Sequence, residues 1–215
     1  MKRFFTTILP LAIIGVCSVI AFSPQSASAE EATGKKAASL PEIPEGFEIA
    51  TFSAGCYWCV EAVFQRVDGV KTVTSGFTGG HVKNPKYENV VNETTGHAEA
   101  VRVVFNPEKV SYEILLAWFW KAHDPTQLNR QGADIGTHYR SGIFYHNDAQ
   151  KQLATESKNK AQADFTRLIV TEITEAKEFY PAKVSHQDYY RINGSSDGYC
   201  RLVIEPKLEK LKLNK

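Results

Sequence analysis

Gly55-Cys56-Tyr57-Trp58-Cys59 is the densest group of reactive side chains in this 215-residue chain. The apolar stretch Phe47–Ser53 precedes it. Val60, Val63, Phe64 and Val67 follow at i, i+3, i+4, i+7, one face of a helix. Cys56 is therefore expected between the end of a strand and the start of a helix. Backbone N–H groups at a helix start favour an anion, so a thiol there is expected to ionise more easily. Gly55 lets the chain turn sharply and keeps Cys56 accessible. Cys59, three residues on, shares the helix face. A dithiol so placed can close into a disulfide. Two buried, inert structural cysteines are the alternative. Haem attachment would need His where Val60 stands. A zinc site would need two more ligands, and His186 and Cys200 are distant in sequence.

Two other patches carry polar groups. In Thr95-Gly96-His97-Ala98-Glu99, Glu99 opens a strand among apolar neighbours. Partial burial there would favour the neutral acid, a proton donor; a solvated strand-end glutamate is the alternative. His97 reads as a hydrogen-bonding loop histidine. The run Asp134-Ile135-Gly136-Thr137-His138-Tyr139-Arg140-Ser141 leads into another strand. Tyr139, together with Tyr87, can point a phenol into a site or simply pack. Arg140 and Asp134 are expected to pair and hold the loop, and His138 to lie at the surface.

These patches need elements to position them. Strands are expected at Phe47–Ser53, Val70–Phe77, Ala98–Phe105, Gly142–Tyr145 and Leu168–Ile173. Ser111 caps a helix carrying Ile114, Leu115, Trp118 and Phe119, and Asp148 caps a polar helix to about Asp164. A short helix is expected at Ser185–Ile192. The order β-α-β-β-α-β, then α-β, gives an α/β two-layer sandwich: a ferredoxin-like split βαβ core with an added helix and strand and an irregular C-terminal tail. One domain spans roughly 46–200, followed by a tail at 201–215. The long connections Gly79–His97 and Ala122–Arg140 carry tyrosines and polar residues, which favours a functional role.

Residues 1–29 are set apart. Lys2 and Arg3 precede an apolar run from Ile8 to Phe22, and Ala27-Ser28-Ala29 closes it. That is the order of a secretory signal peptide cleaved after Ala29. The run is short for a membrane span and contains Pro10. Residues 30–45 read as a flexible leader. The mature chain then carries 23 basic against 24 acidic residues, a balance that argues against a nucleic-acid partner. It keeps three cysteines and no methionine, a composition suited to an oxidising compartment. An exported protein, periplasmic or secreted, with no membrane attachment after cleavage, is expected.

The string GCYWC, followed by TGHAE and DIGTHYRS, resembles the peptide-methionine (S)-S-oxide reductase (methionine sulfoxide reductase A) family. SGFTGG, KYENV, FYHNDAQ, HQDYY and GYC extend the likeness in order over residues 49–200. The resemblance implies a monomeric oxidoreductase on the same sandwich fold. It would reduce methionine-S-sulfoxide, in proteins and as the free amino acid, with no bound cofactor and no metal. Cys56 would be the nucleophile and Glu99 the acid. Tyr87 and Tyr139 would be oxygen-binding donors, Tyr57 and Trp58 the wall for the substrate methyl, and Asp134 an orienting group. A Cys56 sulfenic acid would condense with Cys59 or Cys200, and a thioredoxin-like dithiol would restore the enzyme. Tyr57 stands for the usual Phe, His138 for a usual Gln, and Cys59 for a common Gly. The tail stops soon after Cys200, without the Gly-rich segment and further cysteine of some members.

On the residues alone two other uses stay open. A general thiol-disulfide oxidoreductase would leave Glu99, Tyr87 and Tyr139 idle. A non-catalytic redox- or metal-responsive binding module would need only the cysteines. Between the two thiols, the small loop closed by Cys59 costs less chain entropy than bringing in Cys200 on a flexible tail, so Cys59 is expected to react first.

Overall fold

The computed structural model describes residues 37–213, so the expected signal peptide lies outside the described residues. Along the chain run β1 (Glu48–Ala54), α1 (Tyr57–Phe64), β2 (Val70–Thr78), α2 (Tyr87–Val91), β3 (Ala98–Phe105) and α3 (Tyr112–Ala122). Then come β4 (Arg130–Gln131), β5 (Asp134–Ile135), β6 (Ser141–Tyr145), α4 (Asp148–Ala161), β7 (Glu172–Glu175), β8 (Tyr180–Pro181), α5 (Tyr189–Asn193) and α6 (Glu205–Lys210). The main sheet is ordered β7-β6-β1-β3-β2-β8. β1 pairs antiparallel with both β3 and β6, and β3 antiparallel with β2. β1 and β2 are thus parallel with β3 between them, which is the split βαβ expected from the sequence. β7 adds to β6 in parallel through α4, and β8 adds to the far edge on β2.

Strand alternation decides what faces the helices. Ala50, Phe52 and Ala54 of β1 and Val101, Val103 and Phe105 of β3 enter the main core. Phe52 stacks on Phe64 of α1 at 5.1 Å and meets Phe119 of α3 at 5.3 Å. Each such buried side chain contributes about 1.5–3 kcal/mol, an upper bound. Glu99 shares the parity of Val101, so it too points to the helix side. On the other face Ala98, Ala100 and Phe144 pack under Ala176 and Phe179.

Several expectations shift. The apolar Leu168-Ile169-Val170 is a connection, and the strand starts at Glu172, where the chain first runs beside Gly142 of β6. Its polar backbone is satisfied locally: Ile169 N–H donates to Gln162 Oε1 and Val170 N–H to the Pro125 carbonyl. Asn147, not Asp148, caps α4, its Oδ1 accepting from Gln150 N–H at 2.8 Å; Ser111 caps α3 as expected. The 185–192 region splits into a single 3₁₀ turn at Val184–His186 and α5. The tail is helical, a π-turn over Cys200–Ile204 running into α6. It packs Ile204 and Leu208 into the core, which the sequence reading left irregular. Where residues of the expected leader are described they are held: Ala37 bridges Lys183, and Ala38 N–H donates to the Ala182 carbonyl.

Candidate active site

β1 ends at Ala54 and α1 begins at Tyr57, so Gly55 and Cys56 make the turn. Gly55 has φ +87°, and a Cβ there would lie 2.6 Å from Gln131 Cβ. Glycine is required on both counts. Cys56 occupies the N-cap position of α1. Cys59 N–H and Val60 N–H both return to the Cys56 carbonyl, which closes the first turn and sets the two thiols together. Both are free and buried, at 7% and 2% exposure.

Glu99 comes in from β3 beneath this turn. Its Oε2 accepts from Tyr57 N–H at 3.0 Å, and the residue is 2% exposed. Burial pushes its carboxyl up to about 8, against the pull of that hydrogen bond, so it holds its proton at neutral pH. The sequence reading placed this acid at the edge of the core; it lies inside.

The thiols depart from expectation. Burial raises the Cys56 thiol well above its ordinary range, and its hydrogen bond to Cys59 and the neighbouring Glu99 raise it further. The helix start does not overcome this desolvation. Cys59 goes the other way, lowered to about 7, chiefly by the hydrogen bond from Cys56 and, in part, by the charge of Lys207.

Tyr87, at the start of α2, and Tyr139, at the end of a 3₁₀ turn over Thr137–Tyr139, both feel Glu99 and Cys56 electrostatically. The two expected phenols therefore reach the same site from the two long connections. Burial is the main cause that raises both, Tyr87 to about 12, so both stay protonated donors. Tyr57 is buried, its ring 5.8 Å from Phe77 and 5.9 Å from Trp58, while Trp58 is partly exposed and stacks on Tyr189 at 3.7 Å. Asp134 does not pair with Arg140. Its Oδ2 accepts from Tyr199 OH at 2.8 Å. Arg140 instead binds Glu172 and the Thr137 and Gly96 carbonyls. His138 is buried, not superficial, its ring 4.0 Å from that of Tyr139 and its Nδ1 3.7 Å from Glu93. His97 bonds to the Gly80 N–H and the Val82 carbonyl, the loop role expected of it.

Three residues that sequence reasoning did not place complete the site. Tyr199 OH stands 3.7 Å from Cys59 Sγ and edge-on to Trp58. His186 Nδ1 meets Tyr57 OH at 2.5 Å and its ring lies against Tyr87. Glu61, buried in α1, accepts the N–H groups of Asp188 and Tyr189 and so ties that helix to the chain carrying His186. The HQDYY and GYC strings were the available signal for the first two. Cys200 is fully buried in the π-turn, not on a free tail, and burial is the main cause that pushes its thiol up to about 12.

Two thiols against a protonated carboxyl, on a sheet that presents phenols from two loops, define a thiol-based oxidoreductase. The family model for peptide methionine sulfoxide reductase matches residues 48–215. A peptide methionine sulfoxide reductase of Rhodopirellula baltica is 50% identical over 169 residues, covering 79% of this chain and 88% of the relative. One of Pasteurella multocida is 49% identical, covering 76% and 94%. Among solved structures, Mxr1 from Saccharomyces cerevisiae in reduced form aligns with a TM-score of 0.68 and 31% identity, covering 72% of this chain and 90% of that one. Methionine sulfoxide reductase A of Corynebacterium diphtheriae aligns at 0.64 and 34% identity, covering 70% and 76%. The chain belongs to the peptide methionine sulfoxide reductase family, oxidoreductases that reduce methionine sulfoxide.

Proposed function

We propose that Cys56 attacks the sulfur of methionine-S-sulfoxide, in proteins and as the free amino acid, while Glu99 gives its proton to the sulfoxide oxygen. A sulfoxide sulfur is a poor electrophile until its oxygen is protonated, so nucleophile and acid must act together. The observation that carries this reading is Glu99: a carboxyl kept neutral by burial directly under the turn that holds Cys56. Tyr87 and Tyr139 donate to the oxygen. Trp58, backed by Tyr57, walls the methyl group, and having donors on one side and the wall on the other selects one epimer. Asp134 orients Tyr199.

Oxygen passes to Cys56, leaving a sulfenic acid and free methionine. Cys59 then condenses with it, forming the Cys56–Cys59 disulfide and water. Cys200 exchanges into that disulfide by attack on Cys59, after its π-turn opens. An external dithiol of the thioredoxin type reduces the result by exchange; the yeast relative Mxr1 has been solved in complex with Trx2. The basic start, apolar run and Ala27-Ser28-Ala29 support export, with no membrane attachment afterwards.

A single turnover without reductant tests the chemistry. With enzyme in excess, wild type should convert the S epimer to methionine in a rapid burst. Cys56→Ser should release none, since a serine hydroxyl is a far weaker nucleophile toward sulfur. Glu99→Gln should bind substrate normally yet react about 10²–10⁴-fold more slowly. A wild-type burst in either variant overturns the assignment.

A further inference from the structure

Two tyrosine hydroxyls must meet one sulfoxide oxygen, yet they ride on separate connections. Tyr87 opens α2, and Tyr139 ends the 3₁₀ turn Thr137–Tyr139. The distance between these two carriers has to be fixed. α2 closes at Glu93, whose N–H returns to the Val90 carbonyl at 2.9 Å, while Thr94 N–H returns to the Asn89 carbonyl at 3.1 Å. In this pattern of bonds the left-handed position usually belongs to glycine, sometimes to asparagine. Here glutamate takes it, with φ +59°. A long side chain is strained in that region, and such strain persists where the surroundings enforce it.

The contacts of the side chain supply the reason. Glu93 Oε1 accepts the N–H of Thr137, 44 residues away, at the first residue of the turn that ends in Tyr139. The same oxygen lies 3.7 Å from Nδ1 of the buried His138. Gly136 leaves room for it: a Cβ there would lie 2.9 Å from that oxygen. Arg140 donates to the Thr137 and Gly96 carbonyls, both at 3.1 Å, and so ties the turn toward β3. Glu93 ties it to α2, the helix that Tyr87 opens.

We propose that Glu93 is a positioning residue of the reductive step: its carboxylate fastens the end of α2 to the Tyr139 turn and so sets the spacing of the two hydroxyls that receive the sulfoxide oxygen. The inference rests on the donor roles given above to Tyr87 and Tyr139. Glu93 acts through the turn, not on the substrate. Its bond to Thr137 is exposed. Exposed charged contacts add little to stability, so removing this one is felt in the rate more than in the fold.

Glu93→Gly separates the two effects. Glycine takes the left-handed backbone without strain and removes the tie. The variant should unfold at or above the wild-type temperature, yet its first turnover of the S epimer should slow by up to about 10²-fold. Glu93→Asn suits the same backbone but is one methylene shorter, and should slow the turnover likewise. Glu93→Gln keeps an acceptor of full reach and should recover most of the rate. Tyr139→Phe should itself be slower by about 10²-fold. Adding Glu93→Gly to it should cause no further loss, because the spacing exists only while both hydroxyls do. A wild-type first-turnover rate in Glu93→Gly or Glu93→Asn overturns the inference, as does a multiplicative loss in the double variant; either result leaves Cys56 and Glu99 in their roles. Tyr139→Phe at the wild-type rate would instead overturn the donor assignment beneath, and the inference with it.

Discussion

One ionisation bounds the first turnover on the alkaline side. Glu99 must have kept its proton, which it does up to about 8. The rate should fall as pH rises through that value, and rapid-quench rates across pH will show it. The same carboxyl shapes stability. Its folded pKa is raised above the ordinary carboxyl value of 4.5, so the folded state holds the proton more tightly. That contribution is complete below the unfolded value and is lost as pH rises through about 8. Glu99→Gln should therefore melt above wild type at alkaline pH, with the gap closing in acid; thermal unfolding at the two pH values checks it. Cys56 and Glu99 were legible from residue type and position. Their proton affinities were not, because these depend on how much chain covers them. Nor was the Tyr199–Asp134 bond, which spans 65 residues. His138 reads as a polar loop residue, and only the packing of Glu93 and Tyr139 around it makes it interior.

Among the elements, the turn between β1 and α1 is where local sequence has the most leverage. Gly55→Ala would force a side chain into a positive φ and against the Gln131 stem, which anchors the second long connection by bonding to Asp124. A cost of about 1–3 kcal/mol is expected. Cys56 would be displaced with the turn, so urea unfolding and first-turnover rate should worsen together. Strands with strict alternation, β1 and β3, were readable almost to the residue, as was the cap of α3. The misses share a cause: their shape is set by partners far along the chain. β8 is two residues including a proline, defined only by pairing with Gly76 and Phe77. The Leu168–Val170 run has strand composition but follows Gln162 and Pro125. The π-turn at Cys200 follows from Ile204 and Leu208 entering the core. Such turns are frequent at functional positions.

At the scale of the whole molecule, one sheet and one helix layer gather residues from the region of Cys56 to that of Lys207 into a single pocket of chemistry. If export operates as proposed, intact-mass analysis of the protein recovered from outside the cytoplasm should show a chain beginning at Glu30; a chain retaining residues 1–29 there would refute cleavage. The three cysteines among the described residues are buried and free, and they are the ones that remain if residues 1–29 are removed as proposed. Three is an odd number. Whichever two are bonded, one thiol is left over, and it is always a neighbour in the exchange series. The three thiols can therefore hold one internal disulfide at a time and move it among themselves. The chain cannot lock itself into a fully oxidised, thiol-free state by its own disulfides, so every oxidised form retains an internal means of moving its bond to another position.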